Sequence, residues 1–303
     1  MFIIMMVVIQ KKYYKCLNKE GDNMVQKSYD NSHSLYLIPT PIGNMEDITL
    51  RAINTLKLVD VLFCEDTRVT SELLHKLEIK KKLIHSDDHN ENNLKEKALT
   101  YLKEGKNVGL VTDRGTPIIS DPGFKVVEFV SENGFNVISL PGATAFVPAL
   151  TMSGISPSPF VFFGFLNNKE VKREKELENL KNTRYTIIFY EAPHRINSML
   201  ESVYKIFGNR KIAICREISK KYEEVIRGNI VDILKKLDDL KGEIVVVVEG
   251  NKTEEDYSNM TIVEHVGLYL EDGMSTSEAI KLVASERKVP ISVVYKQFHE
   301  EKR

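Results

Sequence analysis

Ile244-Val245-Val246-Val247-Val248 is an unbroken run of β-branched residues. Such residues favour extended backbone. A strand with no polar alternation has both faces covered, as in α/β proteins where helices flank the sheet. From residue 34 the chain has the alternation that such a layered fold requires. Strands are expected at Leu35-Tyr36-Leu37-Ile38, Val59–Cys64, Asn107–Thr112 and Val137–Leu140. Helical patterns such as Asn92–Glu104 and Phe124–Glu132 lie between them. This is an α/β domain with a largely parallel sheet.

The breakers Ser153-Gly154-Ile155-Ser156-Pro157-Ser158-Pro159 separate this domain from a second α/β stretch. Its strands are expected at Phe160–Phe165, Tyr185–Tyr190, Lys211–Arg216, Glu223–Arg227 and Glu243–Val248. After Gly250 strands vanish. Ser275-Thr276-Ser277-Glu278 resembles a capped helix start. Together with Ser292–Phe298 it reads as helix, short turn, helix: either a helix-turn-helix-like module or a helical cap. The division is an extension at 1–33, α/β domains at 34–154 and 155–252, and a helical tail at 253–303. The mixed-sign run Lys169–Arg184 reads as a solvated helix.

The whole-chain properties narrow the function. A net charge of −1 over 303 residues means that any nucleic-acid contact is local. Cys16, Cys64 and Cys215 form no metal or disulfide spacing and fit a reducing cytoplasm. The apolar start, Met1–Ile9, is too short for a membrane span, and its positive charges follow it rather than precede it. Residues 1–33 read as a disordered or artefactual extension, with Met24 as an alternative start. No Gly-x-Gly-x-x-Gly, P-loop, nucleophile elbow or His-Glu-x-x-His is present.

Three loops rich in Pro, Gly and small hydroxyl residues do follow strands. They are Pro39–Asn44, Thr112–Pro117 and Pro141–Ala145, with Asp121-Pro122-Gly123 turning beside the second. Loops beyond the carboxyl ends of parallel strands bind ligands, and glycine permits close approach. A small-molecule pocket is expected there.

The motifs in these loops are distinctive. Leu35–Asn44, Glu65-Asp66-Thr67-Arg68, Asp113–Gly123, Pro141–Thr144, Phe189–Arg195, Cys215-Arg216-Glu217 and Lys241–Gly250 together resemble the tetrapyrrole-methylase superfamily. More narrowly they resemble its 16S ribosomal RNA cytidine 2′-O-methyltransferase family. The likeness spans about residues 34–303. It implies two α/β domains with S-adenosylmethionine in the cleft between them, a homodimer, and a decoding-region cytidine of the small (30S) ribosomal subunit as acceptor. Carried over by position, the cofactor contacts are Pro41, Thr116, Ile119, Thr144, Ala145, Tyr190, Cys215 and Glu243.

Methyl transfer to a ribose hydroxyl needs alignment and is helped by a general base. Candidates are Glu191, Asp66 and Asp113, with Glu65 and His194 nearby; an N-cap with an internal ion pair is the structural alternative for Glu65–Arg68. Arg68, Arg195 and Arg216 are candidate RNA-phosphate contacts, or else salt-bridge partners. Arg114 stands where the family usually has alanine. At ~6 Å and an effective dielectric of about 20 it would repel a sulfonium by ~3 kcal/mol. It is therefore expected to point away from the sulfur, towards the cofactor carboxylate or an RNA phosphate. His85–Glu91 is read as a polar substrate loop rather than a metal site. Two other functions stay open: a precorrin-type methylase, and a catalytically idle RNA-binding assembly factor.

Overall fold

The computed structural model describes residues 25–28, 32–86, 91–237, 240–252, 260–271 and 273–300. Most of the expected extension, and residues 87–90 of the His85–Glu91 segment, lie outside them. The chain forms two units, residues 1–250 and 251–303.

The larger unit contains two five-stranded sheets. The first has β1 (Ser34–Leu37), β2 (Val61–Cys64), β3 (Lys82–His85), β4 (Val108–Val111) and β5 (Asn136–Ser139). All pair in parallel, in the order β3-β2-β4-β1-β5. The sheet is flanked by α1 (Leu50–Leu58), α2 (Thr67–Lys76), α3 (Glu91–Lys103) and α4 (Phe124–Glu132). Alternation along β2 sends Val61 and Phe63 to the core under α3 and α4, and Leu62 and Cys64 to the core under α1 and α2. Burying each such aliphatic side chain stabilises by about 1.5–3 kcal/mol.

Edge strand β3 adds to the four strands expected from sequence. Lys82 and His85 are exposed and Leu83 and Ile84 only partly buried, and short, lysine-bearing strands are typical of sheet edges. Part of the expected extension is engaged as well. Gln26 brackets the backbone of Val137 in β5, with its Nε2 donating to the carbonyl at 2.8 Å and its Oε1 accepting the N–H at 2.7 Å.

α5 (Phe146–Met152) leads to the second sheet, built from β6 (Phe160–Phe165), β7 (Thr186–Glu191), β8 (Lys211–Arg216), β9 (Glu224–Asn229) and β10 (Ile244–Val248). Its order is β6-β7-β10-β8-β9, with only β6 and β7 parallel. The all-apolar run is the central strand. Ile244, Val246 and Val248 pack towards α7 (Ile196–Phe207), while Val245 and Val247 pack against Ala149 and Leu150 of α5. Both faces are covered, as its sequence requires. α6 (Glu170–Glu178), on the mixed-charge run, and α8 (Ile230–Leu234) complete this half.

The unit 251–303 has three helices among its described residues, α9 (Ile262–Glu271), α10 (Thr276–Glu286) and α11 (Ile291–Glu300). The sequence had delimited only the last two. Ser275 and Glu278 form a reciprocal capping box at the start of α10. The core of this unit is Val266, Ala279, Ile280, Val283, Ala284, Val294 and Phe298. Among the described residues no helix is long and apolar enough to cross a membrane.

Candidate functional site

The three loops predicted to form a pocket converge. Thr40 and Gly115 exchange backbone hydrogen bonds of 2.9 and 3.1 Å, tying the Pro39–Asn44 loop to the one after β4. Gly115 holds φ at +89°, and Ile118 and Ser120 are also left-handed. This backbone is unfavourable for ordinary side chains, and it wraps the loop around a cavity of about 560 Å³. One wall is Ile42, Glu65, Val69 and the 112–121 loop. The other is Thr144 and Ala145, with Phe165, Tyr190, Ile218 and Val245 from the second-sheet half.

Three carboxylates line the first wall: Glu65, Asp113 and Asp121. The Thr112 hydroxyl donates to Glu65 Oε2 at 2.8 Å, and the Asp113 N–H approaches the same oxygen at 3.4 Å. Asp113 Oδ1 accepts the Asp66 N–H at 2.9 Å. Burial raises the Asp113 carboxyl above its ordinary range, and the nearby Glu65 charge adds to that. Asp121 is pushed up to about 6, chiefly by burial and then by the Glu65 charge. The cavity is therefore an apolar cleft with a concentrated negative side, suited to a cationic ligand.

Of the sequence-derived cofactor contacts, Thr116, Ile119, Thr144, Ala145, Tyr190 and Glu243 line this cavity. Thr116 Oγ1 donates to the Ala143 carbonyl at 2.9 Å, holding two of the loops together. The Tyr190 ring meets Phe162 and Phe165 edge-on at 5.0 and 5.6 Å, and burial raises its phenol. Pro41 and Cys215 do not line the cavity. Pro41 sits between Thr40, which makes the loop bridge, and Ile42, which takes the inward position. Cys215 is fully buried beneath α5, its thiol donating to the Ala149 carbonyl at 3.7 Å and pushed up to about 11 by burial.

The candidate bases separate too. Asp113 and Glu191 reach the cavity lining, and Asp66 does not. Asp66 is the N-cap of α2, accepting the Arg68 N–H at 2.7 Å. It also pairs with the Arg68 guanidinium at 2.6 Å, which holds its carboxyl at about 2. The structural alternative describes this segment. On β7 the alternation puts Glu191 on the face of Ile187 and Phe189, opposite Tyr190. Its buried Oε1 accepts the Ala192 N–H at 2.8 Å and lies 3.1 Å from Arg195 Nε, while Oε2 has no hydrogen-bond partner. Burial raises this carboxyl.

Among the arginines, only Arg114 lines the cavity, and it pairs with Glu243. Arg195 is an interior clamp. In addition to its ion pair with Glu191, it donates to Asn168 Oδ1 at 3.0 Å and to the Leu166 carbonyl at 2.8 Å, which leaves little of its fork for RNA. Arg216 pairs across the sheet with Glu224, and Arg68 is exposed but bound to Asp66. The sequence reading treated Asp121 only as a turn residue and passed over Lys220. The sequence signal that could have found Asp121 is an acid in the Asp121-Pro122-Gly123 turn, directly beside a loop already read as ligand-binding.

A parallel sheet, a mixed sheet and a cavity lined by their loops make up the larger unit. Residues 34–234 match the family model described as Tetrapyrrole (Corrin/Porphyrin) Methylases. The chain is 47% identical over 273 residues to the ribosomal RNA small subunit methyltransferase I of Bacillus subtilis, covering 88% of this chain and 94% of that one. It is 42% identical over 286 residues to that of Halalkalibacterium halodurans, covering 91% and 99%. Among solved structures, the methyltransferase CobJ superposes with a TM-score of 0.56 at 18% identity, covering 72% of this chain and 95% of that one. A Thermus thermophilus uroporphyrin-III C-methyl transferase complexed with S-adenosylhomocysteine superposes with 0.53 at 16%, covering 71% and 97%. The chain belongs to the tetrapyrrole methylase superfamily and, within it, to the ribosomal RNA small subunit methyltransferase I family.

Proposed function

We propose that this protein transfers a methyl group from S-adenosylmethionine to the ribose 2′-hydroxyl of a cytidine in the decoding region of 16S ribosomal RNA. The observation that carries the reading is the carboxylate-lined cavity, in a chain 47% identical to a relative named for small-subunit ribosomal RNA methylation. The residues fit such a cofactor. About 560 Å³ suits a ligand of its size, and Gly115 lets the backbone approach it closely. Glu65, Asp113 and Asp121 oppose a cationic centre.

Thr116, Ile119, Thr144, Ala145 and Tyr190 would hold the cofactor, with Glu243 at the rim. When bound, it supplies an electrophilic methyl group on a positively charged sulfur. The chain's own part is to align the acceptor hydroxyl, exclude water and receive a proton. Asp113 is the preferred acceptor of that proton. It lines the cavity and burial makes it more basic, whereas Asp66 is held at about 2 by Arg68. Glu191 is the second choice, because its carboxylate lies on the opposite face of β7 from Tyr190. The substrate in this reading is the 30S subunit, the assembly a homodimer, and the compartment the cytoplasm.

The test is incubation with methyl-labelled S-adenosylmethionine and either 30S subunits from a strain lacking the modification, naked 16S RNA, or a tetrapyrrole. Label in the RNA is expected. Label in the tetrapyrrole alone would replace this function with small-molecule methylation, and label in neither, with cofactor bound, would contradict both.

A further inference from the structure

Glu243 is gripped from two sides at the cavity rim. Arg114 Nη1 pairs with its Oε1, and Lys220 Nζ lies 3.2 Å from its Oε2. Lys220 is the anchored member of this set. Its ammonium also lies 2.8 Å from Glu217 Oε1. Its aliphatic stem crosses Gly43 so closely that a Cβ there would fall 2.4 Å from Lys220 Cγ.

The β8–β9 connection that carries Lys220 is pinned to the loop after β1. The Ser219 hydroxyl donates to the Asp47 carboxylate, and Ile218 shares an apolar cluster with Ile42. Glu217 in turn accepts the Glu243 N–H at 3.0 Å. The Lys220 side chain is 19% exposed and that of Glu243 56%. The lysine is thus fixed, and the carboxylate it holds is free to turn to solvent.

Two cations from different loops converge on one half-exposed carboxylate. Exposed ion pairs are weakly held, and a phosphodiester accepts arginine's planar fork in the same way as a carboxylate. We infer that Arg114 and Lys220 form a receptor for one backbone phosphate of the RNA substrate at the cavity mouth. Glu243 is the displaceable carboxylate that fills it in the free protein. The inference rests on the RNA-methylation reading above. The Arg114 guanidinium is held ready at the cavity lining by a side chain that the substrate replaces.

The test is binding of a fluorescent single-stranded fragment of 16S RNA, without cofactor, between 50 and 200 mM salt. Each phosphate contact adds about 0.7 to the salt slope. Arg114→Ala and Lys220→Ala should each reduce the slope by about that amount and weaken low-salt binding severalfold. Glu243→Gln should tighten binding severalfold, a gain that damage to the fold cannot produce. Unchanged or weaker binding by Glu243→Gln, or unchanged slopes in both alanine variants, overturns the inference alone. A wild-type protein that binds S-adenosylmethionine but no RNA overturns the RNA reading and this inference with it.

Discussion

The hydroxyl of Thr112 donates to the carboxylate of Glu65 at 2.8 Å, joining the ends of β4 and β2 at the floor of the cavity. The Thr112 carbonyl also accepts the Thr40 hydroxyl at 3.2 Å, so one buried residue links three segments. Thr112→Val keeps the shape and removes the donor. A hydrogen bond to a charged group contributes about 1.5–3 kcal/mol. The low end is expected because cavity water can reach Glu65. Urea unfolding at pH 7 measures this loss, and Thr112→Ser should restore most of it.

Asp121 sets a pH dependence. Its folded pKa of about 6 lies above the ordinary aspartate value of 3.8, so its contribution to stability is complete below pH ~4 and is lost as pH rises towards 6. Asp121→Asn should therefore match the wild type near pH 4 and be more stable above pH 6, by less than the full shift implies because solvent screens this partly exposed carboxyl. A cationic ligand beside Asp121 favours the charged form. The affinity for S-adenosylmethionine should rise as pH passes through 6, more than that for uncharged-sulfur S-adenosylhomocysteine. Calorimetry with both ligands from pH 5 to 7.5 reads the difference.

Arg195 is predicted to act on stability, not on RNA affinity. Its guanidinium lies against Glu191, whose side chain is fully buried. Arg195→Ala leaves that carboxylate without its nearest cation, at a cost of about 3–5 kcal/mol. The denaturation midpoint should fall, and the salt slope of RNA binding should stay as in the wild type. The opposite pattern, a reduced slope with an unchanged midpoint, is what a phosphate-contacting arginine gives.

The fold was legible where local pattern and tertiary environment agree. Ile244–Val248 declared a strand covered on both faces, and β10 is central to its sheet. β3 was given no bounds because an edge strand needs little hydrophobicity, and its two ends, Lys82 and His85, are polar and exposed. The loops of the site were legible from Pro, Gly and small residues that few other structures require. Individual side chains were less so. Cys215 falls in a family motif but faces the core under α5. Arg195 follows a predicted strand as a phosphate contact might, yet turns inward to Leu166 and Asn168. Lys220 was invisible because its importance comes from Gly43 and Glu243, which are remote in sequence. Direction and long-range pairing are tertiary properties, and spacing along the chain does not encode them.

The central claim is the chemistry at the ribose. The most direct measurement is mass spectrometry of nucleosides from 30S subunits lacking the modification, after incubation with the protein and S-adenosylmethionine. The account predicts a new cytidine carrying its methyl group on the sugar, at a single site, with transfer strongly reduced by Asp113→Asn. A methyl group on a base, or on no RNA nucleoside while a control enzyme modifies the same subunits, would contradict it.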